Sequence, residues 1–194
     1  IQNVGLIKIR LHRKLPEGKI KQAIVLRKPS GWYVLFQIDL PEQPIKISIN
    51  PPIGIDMGIS HALALSDGKF FDSPKYLKAS LKRLRVLQRS VSRKKKGGKN
   101  RQKAIKEVAR LYEHITNQRS DWWHKTTYQL VNNYGIIALE KLSLEFMLQN
   151  DNLARSAHDV GLGMFRTMLR YKAIDAGVEI VEINPRNTSQ ACSG

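Results

Sequence analysis

Ile53-Gly54-Ile55-Asp56-Met57-Gly58 is an apolar strand sequence interrupted by one acid between two glycines. With a period of two, Gly54, Asp56 and Gly58 share one face, and Ile53, Ile55 and Met57 share the other. The apolar side is a core face. The glycine side leaves room around a carboxylate for a ligand that approaches the backbone closely. The competing reading is an acid that caps a turn or pairs with a lysine at a strand end, and spacing alone does not separate the two. A second acid stands in a similar setting, at the end of Ile136-Ile137-Ala138-Leu139-Glu140. An acid on an apolar strand is costly unless a cation meets it, and a divalent ion is the usual reason to keep two together. Taken alone, Glu140 reads as a solvent residue paired with Lys141. If its strand lies beside the first in parallel, both acids emerge at the carboxyl ends, where open α/β sheets place their sites.

Working outward from residue 53, strands are expected at 53–59 and 61–66, with Asp67-Gly68 as a hairpin signal and a third strand from Lys69. Leu77, Leu81, Leu84, Leu87 and Val91 recur at helical spacing after Pro74. A basic loop, 94–100, follows. Ala104, Val108, Leu111, Ile115, Trp122 and Leu130 then mark one stripe of a long helix over about 101–133. Further elements are a strand at 136–140, a helix at 157–176 ended by Gly177, and a strand at 178–183. Three meandering strands followed by crossovers predict an α/β fold: a mixed sheet with helices on its faces and a basic helical hairpin inserted at about 75–134. Before Asn50-Pro51-Pro52, alternating runs at 7–11, 24–27, 32–38 and 45–49 predict part of a small antiparallel β-barrel.

The chain of 194 residues is 42% hydrophobic, enough for a packed core, and carries a net charge of +17. Residues 75–125 hold 17 Lys and Arg against three acids (Glu107, Glu113 and Asp121), so this stretch carries +14 of the total. That is the footprint of a polyanion site, with nucleic acid the first candidate. Lys82, Arg85, Arg89, Arg93, Lys94, Lys95, Lys96, Lys99, Arg101 and Lys103 are the candidate contacts. No apolar run reaches the roughly 18–20 residues a bilayer requires, so no membrane partner is expected. Cys192, the sole cysteine, has no internal disulfide partner and suggests a reducing compartment such as the cytoplasm or nucleoid.

Metal-binding acids beside a polyanion segment point to phosphodiester chemistry. Two-metal cleavage usually uses three or four acids. Asp151, Asp159 and Asp175 are the remaining candidates, and helix capping accounts for the last two. Trp122, Trp123 and His124 could stack on bases, with core packing the simpler role for Trp122. His61 follows the first strand closely, with a surface histidine the simpler reading. Cys192 alone makes no zinc site, which takes four ligands.

Several stretches, in order, resemble the TnpB family of transposon-encoded RNA-guided nucleases, relatives of the type V CRISPR effectors. Gly54–Gly58 resembles the family's first catalytic strand, and Ala138-Leu139-Glu140-Lys141-Leu142 its second. Residues 92–101 resemble its basic hairpin loop. Asn117-Gln118-Arg119-Ser120-Asp121 resembles its N-x-R-x-D helix segment. Tyr171-Lys172-Ala173, Gly177, Asn184-Pro185 and residues 188–193 resemble the approach to its zinc ribbon. The resemblance implies a RuvC-like nuclease domain of the RNase H type at 53–187, preceded by a guide-RNA-gripping barrel domain at 1–50. It also implies the start of a zinc ribbon at 188–194. Magnesium-dependent cutting of DNA chosen by a guide RNA is the implied activity, with Asp56 and Glu140 as two of three catalytic, Mg2+-binding acids. Cys192 would be one ligand of an incomplete Zn2+ site. The third acid and the other ribbon cysteines are missing, so the chain reads as a central fragment truncated at both ends and inactive by itself. A nuclease-dead nucleic-acid-binding protein and a DNA-strand-transferring transposase of RNase H-like fold are the alternatives.

Overall fold

The computed structural model describes residues 5–41, 46–58, 60–140 and 159–184. By its internal contacts the chain divides into two units, Ile1–Pro44 and Ile45–Gly194.

In the first unit, β1 (Lys19–Lys28) and β2 (Gly31–Asp39) form an antiparallel hairpin around Pro29-Ser30, with a bulge near Ile20. Residues 7–13, Leu15 and Pro16 line a groove of about 1100 Å3 with Val25, Val34 and Phe36 of the hairpin. Of the four strands expected before residue 50, these two form among the described residues. Alternation at 7–11 and 46–49 is not sufficient, because a strand needs a neighbour's N–H and C=O groups. Ile47 and Ile49 stand almost wholly in solvent, and this segment belongs to the second unit, where the Ser48 N–H donates to the Gly177 carbonyl.

The second unit is built on a five-stranded mixed sheet, ordered β5-β4-β3-β6-β7. β3 (Pro52–Met57), β4 (Leu63–Leu65) and β5 (Phe70–Phe71) are antiparallel neighbours. β6 (Ile136–Glu140) and β7 (Glu179–Ile183) continue the sheet in parallel with β3. Between β5 and β6 come α1 (Tyr76–Ser92) and α2 (Lys99–Asn133); α3 (Leu162–Ala176) precedes β7. Gly177 sits at φ +71, and a Cβ there would strike the Lys46 carbonyl, so the turn from α3 into β7 requires glycine.

One face of the sheet is core. Ile53, Ile55, Leu63, Leu65, Ile137 and Leu139 pack against Trp123 and Leu130 of α2 and Phe165 and Leu169 of α3. Trp123 is fully enclosed, with its indole N–H on the Val160 carbonyl at 2.8 Å. The indole expected in the core was Trp122, which is only partly covered. Over 35 residues the 3.6-residue period carries the buried stripe through 104, 111, 115, 123, 127 and 130. Trp123 is therefore no base-stacking residue. The outer halves of α1 and α2 form a separate small core of Leu84, Leu111 and Ile115, which leaves the basic faces to solvent.

At the edge where β3 begins, Tyr134 donates to Asp67 at 2.7 Å and Lys69 donates to the same carboxylate at 2.8 Å. These bonds, Lys69's first, hold the Asp67 carboxyl at about 2. The stability they provide is complete above the ordinary aspartate value and is lost as pH falls through about 2. Thermal melts between pH 5 and 2 should therefore show a decline in midpoint that Asp67→Asn flattens. Parallel profiles for the two proteins would remove this assignment.

Candidate active site

The parallel pairing of β3 with β6 runs Gly54 to Ala138 and Ile55 to Leu139, so the next step places Asp56 beside Glu140. The same row crosses the whole sheet. Phe70 pairs with Ala64, Ala64 with Asp56, and Glu140 with Ile183. Partners in one row point to one side of a sheet, here the side opposite the helices. Glycine at 54 and alanine at 64 and 138 keep the surroundings of the two acids low. Phe70, Val181 and Ile183 remain exposed on this side, and no element among the described residues covers it.

Both carboxylates stand at the carboxyl ends of neighbouring parallel strands, so the pairing on which the sequence reading was conditional is present. They are not buried, however: Asp56 is exposed and Glu140 half-exposed. Charge on an open face keeps its water and carries no desolvation penalty to be offset. Among the described residues neither acid has a cationic partner or a hydrogen-bond donor. Two adjacent carboxylates offer hard oxygen donors, a set that takes a hard divalent ion rather than a thiophilic metal. Among the described residues no group of three or more potential metal ligands forms. Lys141, Asp151 and Cys192 lie outside the described residues.

Neither described candidate for a third acid joins the pair. Asp175 lies in the last turn of α3, which leads into the start of β7, and so belongs to the opposite edge of the sheet. Asp159 is buried and fully committed. Its two oxygens accept the N–H groups of Leu77 and Lys78 at 2.9 and 3.0 Å, and Arg119 pairs with it at 3.3 Å. α1 has no side-chain cap of its own, since Lys75 precedes it at φ +51. A residue 82 positions downstream closes its first turn instead, and Arg119 of the N-x-R-x-D segment is the counter-ion.

Of the basic candidates, Lys82, Arg85, Arg89, Arg93, Lys95, Lys96, Lys99 and Lys103 are exposed, and Arg101 is half-exposed. They ring the α1–α2 hairpin. Lys94 turns back instead, donating to the Ser90 hydroxyl at 2.6 Å and the Ser90 carbonyl at 3.3 Å, and so closes the end of α1.

Beside the acids is a group that only pairing reveals. His61, in the loop after β3, places Nδ1 2.6 Å from an Asp72 oxygen and its ring 4.7 Å from that of Phe70. The separations of 11 and nine residues carry no motif. The signal was the strand register, which brings both ends of the β4–β5 hairpin to the Asp56 edge.

Residues 36–151 match the family model OrfB_IS605, described as "Probable transposase", and residues 163–194 match "Cas12f1-like, TNB domain". A "Putative RNA-guided DNA endonuclease" of Streptomyces pristinaespiralis is 36% identical over 91% of this chain and 44% of its own length. InsQ of Escherichia coli K12, described in the same words, is 28% identical over 100% of this chain and 52% of its own. The endodeoxyribonuclease Cas12f1 of Sulfoacidibacillus thermotolerans is 24% identical over 86% and 42%. The chain thus spans about half the length of these relatives. A solved chain from a Cas12f1–sgRNA–target DNA complex has a similar fold, with TM-score 0.58 and 21% identity over 84% of this chain and 34% of that one. With the family model matched from β2 through β6, the chain belongs to the OrfB_IS605, or TnpB-type, family.

Proposed function

We propose that this chain is the central part of an RNA-guided DNA endonuclease, with Asp56 and Glu140 in its metal-dependent phosphodiester-cleaving centre. One observation carries the reading: the two acids share a register row on the open side of the sheet, and no protein cation serves either of them among the described residues. On this reading residues 53–187 are a RuvC-like domain with a basic insertion at about 75–134. Residues 1–50 are part of a guide-RNA-gripping barrel domain, and residues 188–194 begin a zinc ribbon that would use Cys192. Asp56 and Glu140 would hold Mg2+ together with water, phosphate oxygens and a third acid from the longer protein. The metal supplies a Lewis acid for the phosphoryl oxygens and a more acidic water. The chain itself supplies a fixed carboxylate pair, small neighbours that admit the backbone of a strand, and basic helices for the phosphates. The names of the relatives support guide RNA and target DNA as partners.

The test is plasmid cleavage by the complete protein in Mg2+, with and without its guide RNA. Cutting at the guide-matched site, lost without guide, is the expected result. Guide-independent joining of strands would favour the transposase reading. The 194-residue chain alone is expected to cut nothing, and nicking by it that Asp56→Ala abolishes would overturn that part.

A further inference from the structure

We propose that Phe70 and His61 form a base-stacking subsite for an unpaired nucleotide next to the one held at Asp56–Glu140; this rests on the reading above. Phe70 is 58% exposed, although the adjacent Phe71 packs against the core. It lies in the same register row and on the same side of the sheet as Asp56, two strands away. Two strand spacings are about 10 Å, a distance that a single-stranded backbone crosses in one to two nucleotides. An exposed phenyl ring at the end of a row containing two carboxylates has no packing purpose that the fold reveals.

The second ring is held in place. A carboxylate only accepts, so with Asp72 2.6 Å away His61 carries its proton on Nδ1. That bond fixes the imidazole in a tilted contact with Phe70, 42° between planes. Among the described residues Nε2 has no partner, so it remains available to a base edge or phosphate. Stacking asks only for a π-face and is indifferent to sequence, which suits a site whose target would be chosen by base pairing. The occupant is a single strand of nucleic acid rather than an apolar partner. The unit's positive charge is concentrated on the α1–α2 hairpin, and the row itself offers oxygen donors for a metal-bridged phosphate.

The experiment uses fluorescence anisotropy of the 194-residue chain with labelled dT12 and with a twelve-residue abasic oligomer, at low salt. Phe70→Ala should weaken dT12 binding about tenfold and leave the abasic oligomer within about twofold. Phe70→Trp should restore dT12 binding, which a merely structural role would not do. Photocrosslinking with 5-iodouracil in place of thymine should map to the peptide holding His61 and Phe70. Equal losses for both oligomers, or crosslinks confined to residues 75–125, would overturn the subsite. If dT12 binding ignores Phe70 but falls when Lys95, Lys96 and Lys99 become Gln, the subsite fails and the nuclease reading stands. If the wild-type chain binds neither oligomer, the subsite fails together with the nucleic-acid reading beneath it.

Discussion

Asp56→Asn and Glu140→Gln, made singly in the complete protein, should each lower DNA cleavage by at least about 10³-fold and leave DNA binding within a few-fold. Each substitution keeps the shape and removes one negative oxygen donor from a pair whose joint charge would hold the metal. A single remaining carboxylate binds Mg2+ poorly, since the ion already prefers its own water. The effects should be non-additive: the double variant cannot fall much below either single one, because the two acids act as a unit. Single-turnover cleavage of a supercoiled plasmid, paired with a mobility-shift assay, gives both readouts. Stability adds an independent check. Without metal, two carboxylates in one row repel, so either substitution should raise the melting temperature of this chain. A turn-capping or lysine-pairing acid would behave the opposite way, and a fall in melting temperature with cleavage intact would return Asp56 to that bland role.

The second large effect is structural. Asp159→Ala should destabilise the second unit by about 3–5 kcal/mol, the usual range for breaking a buried pair by removing one partner. Two losses coincide. The first turn of α1 loses the acceptor of two N–H groups. Arg119, mostly buried, keeps its charge without its counter-ion; its Nε is already buried without a hydrogen-bond partner. For a domain of this size that corresponds to a drop in melting temperature of roughly 6–20 °C. Asp159→Asn, which still accepts a hydrogen bond, should cost less. Arg119→Met in the Asp159→Ala background should recover part of the loss, because no orphaned charge remains. A chemical-denaturation series over the wild type, Asp159→Ala, Arg119→Met and the double variant measures the coupling. Strictly additive costs would mean that the guanidinium and the carboxylate do not work as a pair.

This junction shows where sequence reasoning stopped. Asp159 was legible as an acid near a helix start, and ordinary capping was the correct chemistry. The helix it caps, however, is α1 rather than its own, because α1 begins after a lysine in a left-handed conformation and has no cap within reach. Likewise the N-x-R-x-D segment was legible as a pattern. That its arginine faces Asp159, and that Trp123 rather than Trp122 enters the core, depended on the phase of a 35-residue helix after six turns. An error of a tenth of a residue per turn moves the stripe by more than half a residue over that length.

The sequence by itself determined the element order from residue 53, the alternation that separates core from open face, the location of the positive charge and the two candidate acids. Each is a local property, written in side-chain period, turn formers and composition. Only the tertiary structure decided that β3 and β6 are parallel neighbours in the register that sets Asp56 beside Glu140. It also decided that two of the four early runs form strands among the described residues, and that His61, Phe70 and Asp72 gather at the same edge. The reason is physical. Strand pairing and loop closure are settled by backbone hydrogen bonds and burial between segments tens of residues apart, and no period in a single segment encodes its partner.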